Sequence, residues 1–343
     1  MKLFETRWPA LLFTPLSVLF SWIVRLRNRG YSAGVLTTRR ISAVVVSVGN
    51  ITVGGTGKTP TVIYLAGWLR DRGKRVCILS RGYGRKSRGT VFVSDGERIL
   101  CGIARAGDEP VLIAQRLGDV PVVVDRDRLR GAREIIKVCA PDVILLDDGF
   151  QHRRLARDVD IVTFAYPSPL GNGWMLPAGP LREPLGSLSR ARLLWINGRD
   201  EVSYPVPELE PWSGIPRLFA RYKILGLIDS RGRSEPSALR GAAVTAFCGL
   251  ARPEGFRQSL LAAGADVKSF TPFADHFRYR PRHLRELEAQ RNRDRADLIL
   301  TTEKDWLKLP GVPELPPQWR CLQIAIEPVR EDVLEILYRD ALA

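Results

Sequence analysis

The chain has little with which to hold a metal through nitrogen or sulfur. Its 343 residues include three histidines and five cysteines. His152, His276 and His283 form no ligand pattern, and the last two stand seven apart across a proline. Cys77, Cys101, Cys139, Cys248 and Cys321 are scattered without a C-x-x-C pair. Their odd number and wide spacing argue against a disulfide framework or a zinc site, and for a reducing compartment. The chain also lacks internal repeats, low-complexity tracts and any basic stripe interleaved with aromatics, so nucleic acid is the weakest candidate partner. Acidic residues are in deficit, 37 against 52 basic, for a net charge of +15. Only nine of the basic residues are lysine, a bias that genomic base composition explains as readily as function does. The sign of the charge still narrows the partners to an anionic membrane surface, a phosphorylated substrate or nucleic acid. A composition of 45% hydrophobic and 26% charged residues is globular, and the length accommodates two domains.

What is present centres on residues 43–69, AVVVSVGNITVGGTGKTPTVIYLAGWL. The Val-rich opening reads as a strand buried on both faces of a parallel sheet. A glycine-rich turn follows, and beyond Pro60 the apolar residues Val62, Ile63, Leu65, Ala66 and Leu69 recur at helical spacing. Strand, glycine loop ending Gly57-Lys58-Thr59 and helix make a phosphate loop: glycines let successive N–H groups face one anion, and the helix N-terminus adds its dipole. Asn50, Thr52, Val53, Gly54, Gly55, Thr56, Gly57, Lys58 and Thr59 are the expected nucleotide-binding residues. Lys58 reaches the β- and γ-phosphates, and the Thr59 hydroxyl serves Mg²⁺. One position departs from the usual pattern: Thr52 stands where a fifth-preceding glycine is expected. A glycine-rich turn without function is the competing reading.

The N-terminus is uncharged from Pro9 to Val24, between Lys2 and Arg7 on one side and Arg25, Arg27 and Arg29 on the other. It is short of the roughly 20 apolar residues of a spanning helix, contains Pro15, and ends without a small-residue cleavage site. A helix lying in the interface of an anionic membrane fits its aromatics and basic end. Packing onto its own domain is the alternative.

Further along, Arg75–Ser80 reads as a strand entering the loop Arg81-Gly82-Tyr83-Gly84-Arg85, and Thr90–Val93 with Arg98–Cys101 as a hairpin about Ser94-Asp95-Gly96. Asp108-Glu109-Pro110 opens a helix; capping and service to a metal or substrate hydroxyl are both open readings. Pro121–Asp125 reads as a third strand, and Val143–Leu146 as a strand ending in Asp147-Asp148. Beside a phosphate loop that ending is a Walker B carboxylate pair facing Mg²⁺. The Pro- and Gly-rich stretch from Pro167 to Pro184 carries Arg182, a clamp for a transferring phosphoryl group. A second α/β unit follows, with strands Ala243–Cys248, Asp297–Thr301 and Cys321–Ile326 and a C-terminal helix.

Taken in order, GNITVGGTGKTP, SRGYGR, GDEP, LLDDGFQH, GPLREP, AFCGLARP, the Asp-His-Phe at 275–277 and TEKD resemble the tetraacyldisaccharide 4′-kinase family over nearly the whole chain. The resemblance implies an ATP- and Mg²⁺-dependent kinase acting on the 4′-hydroxyl of tetraacyldisaccharide 1-phosphate, at the cytoplasmic face of a bacterial inner membrane. It implies Asp108 and His276 as the dyad that takes the hydroxyl proton, Lys58 and Arg182 on the phosphates, and Thr59, Asp147 and Asp148 at the metal. Arg81, Tyr83, Glu109 and Gln151 fall on motif positions assigned to substrate. The expected fold is α/β: a P-loop NTPase-type, mostly parallel sheet with helices on both faces (residues 31–218), after a membrane-associated helix (1–30). A two-stranded linker (219–240) leads to a smaller α/β domain (241–343). The competing function is a membrane-associated regulatory P-loop ATPase. Against it, Val53 occupies the position before the paired glycines where partitioning ATPases carry a signature lysine.

Overall fold

The computed structural model describes residues 7–198, 206–230, 233–234 and 239–341. They form two compact units, Met1–Arg221 with Ile326–Ala343, and Tyr222–Ala325.

The first unit opens with helix α1 (Arg7–Ser32). Its inward face carries Ser17, Phe20, Val24 and Asn28, at the three- and four-residue spacing of a helical stripe. Ser17 Oγ donates to the Met175 carbonyl at 2.8 Å, and Asn28 Nδ2 to Glu183 Oε2 at 2.9 Å. Val24 joins the core of Ile51, Phe150, Phe164, Leu181 and Leu188. The outward face is apolar too: Leu12, Leu16, Leu19, Ile23 and Leu26 are exposed, Leu12 by 83% and Leu26 by 71%. Among the described residues no helix is long and apolar enough to cross a membrane.

Strand β1 (Val44–Gly49) leads through the glycine loop into α2 (Lys58–Arg70), then β2 (Val76–Ser80), β3 (Val91–Ser94), the short α3 (Ile103–Ala106), α4 (Asp108–Leu117), β4 (Val122–Val124), α5 (Arg128–Cys139), β5 (Val143–Asp147), β6 (Val159–Ala165) and β7 (Leu193–Asn197). The start of β8 (Arg217–Ile228) adds beside β7. The order in this unit is β8-β7-β6-β1-β5-β2-β4-β3, parallel throughout except for β3 against β4. Period-two alternation assigns the faces. Val45, Cys77, Leu79, Ile144 and Leu146 pack under α5 with Leu129, Ala132 and Ile135. Val46, Leu145 and Ile161 face Leu65, Trp68 and Leu69 of α2 on the other side.

Of the hairpin expected about residues 94–96 only the closing end forms, with Leu100 N donating to the Val93 carbonyl at 2.8 Å. Asp95 Oδ1 accepts the N–H groups of Glu97 and Arg98 at 3.0 and 2.9 Å and folds the segment into a local turn. One bridge, Ser94 to Ile99, remains, and the ladder partner of β3 is β4.

In the second unit the far end of β8 pairs antiparallel with β9 (Arg233–Ser234); residues 231–232 and 235–238 of the expected linker lie outside the described residues. Then come β10 (Ala243–Cys248), α6 (Pro253–Ala262), β11 (Asp266–Pro272), α7 (Pro281–Asp294), β12 (Leu298–Thr302), the short α8 (Glu303–Trp306) and β13 (Trp319–Pro328). The order β11-β10-β12-β13 is parallel. The last helix, α9 (Asp332–Ala341), belongs to the first unit rather than to the C-terminal domain. Its Leu334 and Leu337 cover Val46 and Leu65, and Tyr338 packs edge-on against Trp68 at 5.6 Å. Burying one such leucine is worth about 1.5–3 kcal/mol.

Candidate active site

The chain leaves β1 toward β2 on one side and β5 toward β6 on the other, with β5 and β6 flanking β1. The C-terminal ends of β1 and β5 therefore open the crevice where ligands of such sheets bind. The glycine loop leaves one of those ends and Asp147-Asp148 the other.

Gly54 and Gly57 take left-handed φ values of 105° and 80°. Gly57 precedes α2 and no side chain caps that end, so first-turn N–H groups of α2 are directed at whatever anion occupies the loop. The loop itself is firmly tied. Asn197 Nδ2 donates to the Thr56 carbonyl at 2.8 Å, Thr56 and Thr163 share a hydroxyl bond of 2.7 Å, and Thr163 donates to the Gly49 carbonyl at 3.1 Å. On the opposite flank Val53 N donates to the Pro180 carbonyl at 2.8 Å and Arg182 N to the Ile51 carbonyl at 2.7 Å. Thr52, at the position that departs from the usual glycine, forms a β-bridge with Leu181. An extended residue in a bridge has no need of glycine's left-handed freedom, which accounts for the departure.

Asp148 (φ 55°) turns back toward the loop. The Arg182 guanidinium holds it through contacts of 2.9 to 3.2 Å, and Lys58 Nζ lies 3.7 Å from its Oδ1. Burial pushes this carboxyl up, but Lys58 and Arg182 outweigh it and hold it well below the usual range. Asp147 is buried and accepts from Ser80 Oγ at 2.8 Å, while its Oδ1 has no hydrogen-bond partner. Burial first, and then the charge of Glu109, push its pKa up to about 6. Two adjacent aspartates thus differ in kind: one is neutralised by cations, the other is a buried oxygen lacking a donor. Among the described residues no cluster of three or more His, Cys, Asp or Glu side chains is built to hold a metal. The two carboxylates Asp147 and Asp148, with one free Oδ1 on Asp147, suit Mg²⁺, which binds one or two carboxylates together with phosphate oxygens and water. Asn50 Nδ2, Thr52 Oγ1 and Gln151 Oε1 are further buried atoms without partners around the loop. Gln151 Nε2 donates to the Asn50 carbonyl at 2.8 Å, and Asn50 Oδ1 accepts from Arg182 at 3.2 Å.

The Arg81–Arg85 loop and the turn before α4 interlock. A Cβ on Gly82 would meet the Ala106 carbonyl at 2.7 Å, and one on Gly107 the Tyr83 carbonyl at 2.7 Å. This backbone contact brings Tyr83 beside Asp108, the first residue of α4. Asp108 is 7% exposed, and its Oδ1 accepts the Glu109 N–H at 3.0 Å. His276 belongs to the second unit, with φ 58° and its N–H donated to Asp275 Oδ1 at 3.0 Å. Asp108 and His276 are thus each described within their own unit.

A family model for tetraacyldisaccharide-1-P 4′-kinase (LpxK) matches residues 9–342. The chain belongs to the tetraacyldisaccharide 4′-kinase family. The tetraacyldisaccharide 4′-kinase of Pelobacter propionicus is 41% identical over 304 residues, covering 88% of this chain and 83% of that protein. The corresponding kinase of Anaeromyxobacter sp. (strain Fw109-5) is 40% identical, over 97% of this chain and 93% of its own. A crystal structure of LpxK from Aquifex aeolicus in complex with ATP matches with a TM-score of 0.77 at 35% identity, over 97% of this chain and 99% of that one.

Sequence reading passed over several residues of this family member's site. Thr163 and Asn197, which brace the glycine loop, lie on β6 and β7, two strands without a motif, so they carry no local signal. Ser80 reads as the end of a strand, and nothing near it along the chain pairs it with Asp147. Arg128 is buried near both aspartates; burial pushes its pKa down to about 10, against their opposing charge. An arginine opening a helix straight after a strand was the available clue.

Proposed function

We propose that the chain transfers the γ-phosphoryl group of ATP to the 4′-hydroxyl of tetraacyldisaccharide 1-phosphate, forming lipid IV-A, with Mg²⁺ and at the cytoplasmic face of the inner membrane. The single observation that carries the chemistry is the uncapped start of α2 beside the Lys58–Asp148–Arg182 cluster. Anionic phosphate placed there meets backbone donors, a lysine and an arginine at once, which is the positioning and charge neutralisation that phosphoryl transfer needs. Lys58 and Arg182 exchange Asp148 for phosphate oxygens. Thr59, Asp147 and Asp148 would hold Mg²⁺, which when bound neutralises charge on the phosphates. Asp108 and His276 act as a pair on the proton of the acceptor hydroxyl, since such an alcohol needs a group within hydrogen-bond reach to accept it. Arg81, Tyr83, Glu109 and Gln151 face the acceptor. The outward apolar stripe of α1, followed by Arg25 and Arg29, lies in an anionic membrane surface and presents the site to a lipid.

The deciding experiment measures phosphate transfer from γ-labelled ATP to purified tetraacyldisaccharide 1-phosphate beside a lipid-free control. Label appears on the lipid only; equal phosphate release in both reactions would favour the regulatory ATPase. A Mg²⁺ titration of Asp147→Asn and Asp148→Asn separates the aspartates: one variant needs far more metal, and no change in either overturns the metal assignment. Leu19→Glu with Ile23→Glu weakens flotation with anionic vesicles, and unaltered flotation would move the membrane contact elsewhere.

A further inference from the structure

The second unit brings His276 against a lysine that the reading above leaves without a task. Lys304 Nζ lies 3.4 Å from His276 Nε2 and 3.4 Å from Asp275 Oδ1. Asp275 Oδ1 is 3.9 Å from Nε2, beyond hydrogen-bond reach. The Lys304 side chain is only 14% exposed. Both partners sit on fixed backbone. His276 holds a left-handed conformation through the Asp275 carboxylate, which accepts its N–H. Lys304 lies in the α8 turn, where the Thr302 hydroxyl caps Asp305 N at 3.2 Å and the buried Asp305 carboxylate ties Thr302 to Gly249 N.

An ammonium has three donors and no acceptor. A hydrogen bond between Nζ and Nε2 therefore requires the lone pair on Nε2, and the single ring proton then sits on Nδ1. We propose that Lys304 is a positioning residue that holds His276 as its neutral Nδ1–H tautomer and fixes the direction of the ring. This rests on the reading of His276 as a member of the proton-accepting pair and refines its share. A ring in this form donates through Nδ1. With Nε2 engaged by Lys304 and the proton on Nδ1, its share is that of a donor, not of the base that takes the hydroxyl proton. The identity of the donor at a functional histidine is commonly set by the bond its other nitrogen makes.

The test uses the full chain labelled with ¹⁵N at histidine, recorded near pH 8.5, about two units above the ordinary imidazole pKa of about 6.5. Three histidines make the long-range ¹H–¹⁵N spectrum assignable, with His276→Gln identifying the resonance. The wild-type ring shows a protonated Nδ1 and a bare Nε2. Lys304→Met moves the proton toward Nε2 and lowers kcat about tenfold to a hundredfold, with KM for ATP unchanged. Lys304→Arg, which keeps a cationic N–H donor, restores the wild-type tautomer and most of the rate. A wild-type ring protonated at Nε2, or a tautomer indifferent to Lys304→Met, overturns the proposal, and the wild-type spectrum decides even if a variant fails to fold. Full activity of His276→Gln would instead remove His276 from the reaction while leaving the tautomer assignment standing.

Discussion

In the first unit β1 runs into a loop that ends at Gly57, where no side chain caps the following helix; in the second, β10 runs into Gly249, whose N–H is taken at 2.8 Å by the buried carboxylate of Asp305. A Cβ on Gly55 would enter open space, whereas one on Gly249 would press on Asp305 Oδ1 and the Ala274 carbonyl at 3.0 Å each. Both corners are parallel strand, glycine turn and helix. They differ in where the backbone donors find an acceptor. The first leaves donors for an outside anion and concentrates Lys58 and Arg182 around them. In the second, the Gly249 N–H is taken by Asp305, which is also paired to Lys308 at 2.6 Å, although α6 too starts without a side-chain cap. A glycine corner closed by a carboxylate of its own chain has no donor to offer an anion at that glycine.

The comparison breaks most directly at Lys58. Lys58→Ala lowers kcat by about 10³-fold or more, because one residue supplies both position and charge. A folded variant with near-normal turnover would remove the phosphate loop from the argument. Next in size, Asp108→Ala and His276→Ala each lower kcat by about 10² to 10⁴-fold. The double variant loses little beyond the worse single one, as expected of residues acting as a unit; strictly multiplicative losses would end the pairing.

Asp305→Ala probes the other corner. It strands the Gly249 and Thr302 donors and leaves Lys308, 7% exposed, without its carboxylate. Breaking such a buried pair costs about 3–5 kcal/mol. Urea unfolding followed by a probe in the second unit detects the loss, while nucleotide affinity stays near that of the parent. A loss below about 1 kcal/mol, or an equal loss of nucleotide binding, would mean that the two corners are not built as described.

The smallest effect is a pH dependence at His152. Burial, with the nearby Arg128 charge adding to it, pushes its pKa down to about 4. Between about 6.5 and 4 the unfolded chain binds a proton there and the native chain does not, so stability falls as pH falls through that window. The contribution is constant above about pH 6.5 and fully lost below about pH 4. Its ceiling is about 3 kcal/mol, reduced by solvent screening of a partly exposed ring. Urea unfolding from pH 7 to 4 gives a shallower slope for His152→Gln than for the parent; parallel slopes would place a charged imidazole in the native state.

Residues close in sequence made the phosphate loop legible. Strand, glycines, Lys58 and Thr59 occupy one continuous stretch, and the carboxylates Asp147 and Asp148 end a strand whose apolar run declares it. Local chemistry of this kind is written in order along the chain, because turn conformation, helix capping and strand burial each depend on a few neighbouring residues. The family resemblance added Asp108 and His276, which no spacing relates. Tertiary structure alone distinguished Asp147 from Asp148: burial acts on both, but Lys58 and the distant Arg182 outweigh it only at Asp148. It also set Gly82 against Gly107, braced Thr56 with Thr163 and Asn197, returned α9 to the first unit, and placed Lys304 on His276. Each of these depends on which strands lie side by side. That is decided by how the whole set of apolar faces is buried at once, a property that no single stretch of this chain contains.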